Sequence, residues 1–268
     1  MMIQNAQKIA QSRTDCDVPY FVVGEGQPLV LIHAGGLNQD MWLPQVESLK
    51  RDYKLITFDI KGHGSTVEQE QPGFEIDDVL AILQTEKLEK VNLIGLSLGA
   101  AIALDFALHY PEMVEKLVLA SPGLYGFQDE NPEYLKLMEA IVQAISAKNQ
   151  MAILWTLKKV NAIGTRKELP DERLDEYVER HLANYISNGG LHKVPKLKNT
   201  NPVGNLKDLP HETLILYGLL DFDYVRENAE KLKEELSNAS LKSIDEAAHL
   251  INLENQRVFN QLIREFVG

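Results

Sequence analysis

Val91-Asn92-Leu93-Ile94-Gly95-Leu96-Ser97-Leu98-Gly99-Ala100-Ala101-Ile102-Ala103-Leu104-Asp105-Phe106-Ala107-Leu108-His109-Tyr110 is the stretch whose reading decides the fold. Val91 to Ile94 is a short apolar run of buried-strand type, and Leu98 to Tyr110 is an Ala/Leu-rich segment that stops at Pro111 as a helix should. Between them Ser97 stands in a G-x-S-x-G arrangement. So sharp a strand–turn–helix junction strains the serine backbone. Side chains two positions to either side would collide, which accounts for glycine at 95 and 99. The hydroxyl is expected at the sheet edge, beside the start of a helix whose free N–H groups favour developing negative charge.

Working outward, further strand-like runs occur at Leu29–Ile32, Leu55–Phe58, Leu117–Leu119, Leu214–Tyr217 and Leu241–Ile244. A helical pattern over Ile76–Leu88 places Val79, Ile82 and Leu83 on one face. Strands alternating with helices imply an α/β fold with a mostly parallel sheet covered on both faces. From about Tyr125 to Thr200 the alternation stops. Glu133–Ser146, Met151–Val160 and Asp171–Ile186 are amphipathic, and no buried strand separates them. The chain therefore divides into a core, 1–124 and 201–268, and a helical insertion, 125–200, above the strand ends where ligands bind.

A serine hydroxyl is a weak nucleophile until a base takes its proton. Among seven histidines, His249 follows the last strand and precedes a helical tail, Leu250–Val267, so its loop can fold back over Ser97. His33 and His63 also follow strands and are rivals, with His63 assigned to a structural turn, Asp59–Ser65. The carboxylate that would orient the imidazole is Asp221, after Leu214–Tyr217, with Asp223 two residues on as competitor. Oxyanion donors are expected at the N–H groups of Leu98 and Gly35, with Gly36 the alternative, in His33-Ala34-Gly35-Gly36.

Taken together, His33–Gly36, Asp59–Ser65, Gly95–Gly99, Gly218–Asp221, and His249 with Glu254 five residues later resemble the α/β-hydrolase superfamily, in its serine-nucleophile branch. The order Ser97, Asp221, His249 is the one these proteins use. The resemblance implies an eight-stranded, mostly parallel sheet with a helical cap, a two-step acyl-enzyme mechanism, and likeness to small carboxylesterases and enol-lactonases. Ala34 and Ala100 stand where Gly is frequent, and both are small changes. The implied activity is hydrolysis of a small to medium, partly apolar ester or lactone. Carbon–carbon bond hydrolysis, perhydrolysis and a receptor-like role with slow turnover share the same residues.

The chain has 268 residues, 25% of them charged, and a net charge of −12. Such a surface repels phosphate backbones and anionic headgroups, so neither nucleic acid nor membrane is an expected partner. One cysteine, Cys16, offers no internal disulfide and no zinc cluster. The mechanism requires no cofactor or metal. Met1–Ala10 lacks a secretory pattern, and a cytoplasmic location is the default expectation. Tyr125, Phe127, Leu135, Met138, Ile141, Trp155 and Tyr185 supply candidates for an apolar pocket, of which Tyr125, Phe127, Met138 and Trp155, with Gly36, are named as lining it. Lys193, Lys196 and Lys198 form a local basic patch, read as a solvated surface.

Overall fold

The computed structural model describes residues 7–12, 16–66, 73–192, 196–198 and 202–268. Eight strands form one sheet: β1 (Lys8–Gln11), β2 (Asp17–Val23), β3 (Gln27–Ile32), β4 (Tyr53–Phe58), β5 (Val91–Leu96), β6 (Val114–Ala120), β7 (Glu212–Gly218) and β8 (Ala239–Ile244). Their order is β1-β2-β4-β3-β5-β6-β7-β8. β2 runs antiparallel to β1 and β4, and every other pairing is parallel. The helices are α1 (Leu43–Leu49), α2 (Glu75–Thr85), α3 (Leu98–His109), α4 (Pro132–Ser146), α5 (Gln150–Lys158), α6 (Glu172–Ser187), α7 (Asp223–Glu235), α8 (Ile251–Glu254) and α9 (Gln256–Val267).

Alternation along the strands sorts the core into two layers. Val30, Ile32, Leu93 and Leu119 face one side, where α2, α3 and α7 cover them. Leu29, Leu31, Ile94 and Ala120 face the other, shared with residues of α1 and α9. Both faces are covered, which is why β3 to β7 read as continuous apolar runs rather than alternating ones. α3 is buried along nearly its whole length, consistent with a sequence apolar all round.

Two strands go beyond the runs visible in the sequence. β1 buries only Ala10, and β2 carries Pro19 and is largely half-buried, so neither shows a buried-strand pattern. The tail read as one helix is two, α8 and α9, broken at Asn255, whose side chain accepts from the Val258 N–H.

The chain passes from β3 to β4 on one side and returns to β5 on the other. Loops leaving β3 and β5 therefore diverge, and a crevice opens between them at their carboxyl ends. Ser97 stands there. The segment between β6 and β7 contains α4, α5 and α6, and it arches over this crevice.

A Cβ added to Gly99 would lie 2.1 Å from the Ile32 carbonyl oxygen, and one added to Gly95 would lie 2.1 Å from the Gly99 carbonyl oxygen. No rotamer relieves a clash with backbone. Overpacking typically costs about 1–3 kcal/mol, and this case belongs at or above the upper end. Gly99→Ala is expected to lower the thermal midpoint by at least about 6 °C, at roughly 2–4 °C per kcal/mol for a domain of this size. At Gly35 an added Cβ meets only the Leu98 side chain at 3.6 Å. Gly35→Ala should melt within about 2 °C of the parent. Equal losses in the two variants, followed by circular dichroism, would refute this account of the turn.

Candidate active site

Ser97 has φ 56° and ψ −112°, a conformation that non-glycine residues avoid. The strain is held in place from both sides. Its N–H donates to the Ala120 carbonyl at 2.9 Å, and its carbonyl accepts from Ala100, Ala101 and Gly123. The side chain is thereby held out of the helix axis and on the wall of a cavity of about 300 Å³. Leu98 is the first residue of α3, where an N–H has no carbonyl one turn back to receive it.

Asp221 and His249 come from loops after adjacent strands, β7 and β8. Gly218 allows these loops to touch, because a Cβ there would lie 2.1 Å from the Ala248 carbonyl oxygen. Leu220 N–H donates to the Ala247 carbonyl at 2.9 Å. The Asp221 carboxylate then reaches His249 Nδ1 at 2.7 Å, and its other oxygen accepts from the Phe222 N–H. With Nδ1 donating to a carboxylate, Nε2 carries the lone pair. Asp223 points elsewhere: it is exposed and pairs with Arg226.

Burial of His249 favours the neutral ring, but the Asp221 charge, the hydrogen bond to it, and the charge of Glu254 outweigh this and raise its pKa above 6.5. Two other buried histidines near the strand ends, His33 and His63, behave oppositely. His33 donates from Nδ1 to the Ala34 carbonyl and accepts the Ile60 N–H at Nε2, and burial lowers its pKa. His63 hydrogen-bonds the Lys61 carbonyl through Nδ1 and stacks on Tyr185, and burial followed by the neighbouring His33 lowers its pKa to about 3. Asp59 ties the same loops together by accepting from the N–H groups of Gln39 and Ser65.

The cavity is lined by Ser97, Leu98, His249, Gly35 and Gly36 from the core, together with Tyr125, Met138, Ile141 and Tyr185 from the segment above. Gly36 has φ +74°, and a Cβ there would strike Leu182 of α6, so the demand for glycine falls on position 36 rather than 35. Two expected pocket residues are displaced. Phe127 packs against the sheet core instead of the cavity. Trp155 is 58% exposed on the outer face of α5, because Ile153, Thr156 and Leu157 take the inner face. Leu135 is likewise exposed. Lys196 and Lys198 are exposed, with their backbone N–H groups bound to the buried carboxylates of Glu75 and Asp105, and Lys193 lies outside the described residues.

Glu254 has a role that motif spacing alone does not reveal. Its carboxylate accepts from the N–H groups of Ala248 and Leu250, the two neighbours of His249. It also pairs with Arg166 at 2.5 Å, with Glu254 almost wholly buried. Among the described residues, no group of three or more His, Cys, Asp or Glu side chains could hold a metal ion, and no helix is long and apolar enough to cross a membrane.

This geometry sets a carboxylate-bound imidazole and a strained serine at the start of a helix on the walls of one cavity. The fold and site together define a hydrolase of α/β type. The family model described as alpha/beta hydrolase fold matches residues 27–256, and the chain belongs to that family. It is 29% identical to a pimeloyl-[acyl-carrier protein] methyl ester esterase of Pectobacterium atrosepticum, over 89% of this chain and 93% of that one. It is 28% identical to a 2-hydroxy-6-oxononadienedioate/2-hydroxy-6-oxononatrienedioate hydrolase of Comamonas testosteroni, over 91% and 89%. A solved structure of an N-acyl homoserine lactone degrading enzyme superposes with TM-score 0.79 at 22% identity, over 97% of this chain and 100% of that one, a likeness of fold.

Two predictions follow from the His249 surroundings. Because its folded pKa is raised, protonated His249 contributes stability that is full below about pH 6.5, the unfolded value, and is lost as pH rises through the folded pKa. In Asp221→Asn only burial remains strong, and the His249 pKa should fall below 6.5. The stability gap between parent and variant, measured by denaturant titration, should be larger at pH 6 than at pH 9; a gap independent of pH would contradict the assignment. Glu254→Ala leaves Arg166 and two N–H groups without their carboxylate, and breaking a buried pair costs about 3–5 kcal/mol. Glu254→Gln, which keeps an acceptor, should recover part of that loss in the same titration.

Proposed function

We propose that this protein is a serine hydrolase of carboxylic esters or lactones, with Ser97 as nucleophile, His249 as general base and Asp221 as the acid that orients it. The observation that carries the reading is the convergence of a strained serine and a carboxylate-bound histidine on one apolar cavity. His249 Nε2 accepts the hydroxyl proton as Ser97 Oγ attacks the carbonyl carbon. The oxyanion is received by the N–H groups of Leu98 and Gly35, at the start of α3 and in the turn after β3. His249 then returns the proton to the leaving alcohol. Water, activated by the same nitrogen, hydrolyses the acyl-enzyme and regenerates Ser97.

The pimeloyl methyl ester esterase among the relatives supports ester chemistry, and the dioate hydrolase supports hydrolysis of another small substrate on the same fold. The apolar walls favour a partly apolar small molecule.

A fluorophosphonate probe followed by peptide mapping tests the assignment. A single adduct on Ser97 is expected, absent in Ser97→Ala and nearly absent in His249→Ala. Asp221→Asn should lower kcat for an activated ester by on the order of 10⁴, by analogy with serine proteases, while Asp223→Asn stays within about twofold, as an exposed substitution remote from the pair would. A damaging Asp223→Asn with a mild Asp221→Asn would reverse the acid assignment. Labelling without multiple turnover would favour a receptor-like role.

A further inference from the structure

Tyr134, Met138, Ile141 and Ile145 follow one another at spacings of four, three and four along α4, and all four line the cavity that holds Ser97. At 1.5 Å per residue this row is roughly 16 Å long. Ala144 is the one fully buried residue of α4, and these four are half-buried. Ile141 and Ile145 pack partly against the core below and Tyr134 against Tyr224, and the rest of each side chain borders the cavity, with Leu157 and Val160 from the neighbouring helical segments on the same cavity. Leu135 and Val142 point outward and are exposed, so the inner row is a separate feature of the helix.

We infer that this row is a chain-length gauge: it takes a linear, uncharged alkyl chain of the ester, extended along α4, and its reach sets the longest chain that gains from binding. This rests on the ester-hydrolase reading above and specifies its substrate class. The cavity of about 300 Å³ has the size of a small-molecule site and leaves room for such a chain beside the reacting ester. Among the described residues, the lining holds no Lys or Arg to pair with a carboxylate on that chain, and an unpaired charge in a largely apolar cavity is strongly disfavoured.

The test uses p-nitrophenyl esters of increasing acyl length, acetates of increasing alcohol length, and alkyl fluorophosphonates of increasing chain length, read as kcat/KM or as the rate of Ser97 labelling. Each added methylene should raise the rate about threefold to fourfold until the row is filled, since burying one contributes about 0.8 kcal/mol, and the rise should then stop. The series that shows this slope identifies which side of the ester carries the chain. Ile141→Trp and Ile145→Trp should move the plateau to shorter chains, and Val142→Trp on the outer face should leave it in place. If either tryptophan variant fails to fold, Ile141→Ala and Ile145→Ala should instead reduce the gain per methylene. An ω-carboxylated ester should react at least tenfold more slowly than its methyl ester. A flat length profile with Ser97 still labelled, a plateau unmoved by the inner-face variants, or equal rates for the carboxylated and capped esters would overturn the gauge alone. Absence of Ser97 labelling by every fluorophosphonate would instead remove the hydrolase reading on which it rests.

Discussion

The close approach of three backbone segments at the elbow governs this structure. Gly99 lies against the carbonyls of Ile32 and His33, and Gly95 lies against the carbonyl of Gly99. β3, β5 and α3 can therefore meet only where side chains are absent. That contact fixes the start of α3 beside the end of β3, which brings Leu98 against Gly35. It also forces Ser97 into its positive-φ conformation. Strain of this kind costs about 1–3 kcal/mol and persists where the surroundings overdetermine it. Here they do, through the four backbone hydrogen bonds that Ala120, Ala100, Ala101 and Gly123 make to Ser97.

The partners of Ser97 are placed by a second backbone contact, at Gly218, and by a tie from the segment overhead. A Cβ at Gly164 would lie 2.3 Å from the Leu220 carbonyl oxygen. Thr165 donates to that same carbonyl through both its N–H and its hydroxyl. Arg166 reaches Glu254, which holds the residues on either side of His249. Three consecutive residues between α5 and α6 thus bind the Asp221 loop and the His249 loop at once. The helical segment is consequently coupled to the orientation of the histidine as well as to the shape of the cavity. A change in how α4 to α6 sit on the core would be felt at His249 through two hydrogen-bonded routes.

What could be read from the sequence follows the physics of each element. β3 to β7 are buried on both faces, so their apolar runs announce them, whereas β1 and β2 are half-solvated and carry no such run. Ser97 is legible because its turn demands glycine at two fixed offsets. His249 and Asp221 are legible by position after strands, but Asp221 separates from Asp223 only when the loop is seen to turn one carboxylate inward and the other to Arg226. Trp155 could have been assigned outward from sequence, since Ile153, Leu157 and Val160 already define the inner face at helical spacing. Phe127 could not, because it sits outside any helix whose period would orient it. The Arg166–Glu254 pair is a product of tertiary folding, and nothing local in either segment points to the other.

Electrostatics explains why, of His33, His63 and His249, the last suits the proposed reaction. A general base must be neutral before proton transfer and tolerated as a cation after it. His33 has both nitrogens committed to backbone groups, one as donor and one as acceptor, so a second proton would break the Ile60 bond. His63 shares the cavity wall with Ser97, yet burial and the adjacent His33 hold it neutral far into the acid range, so it would resist the charge that catalysis requires. Burial alone would impose the same fate on His249. The Asp221 carboxylate reverses it, and Glu254 adds to the same field while anchoring the loop. Sharing a cavity wall with the serine is therefore insufficient for the proposed base; the deciding feature is a fixed negative charge on the far side of the imidazole, which His249 has in Asp221.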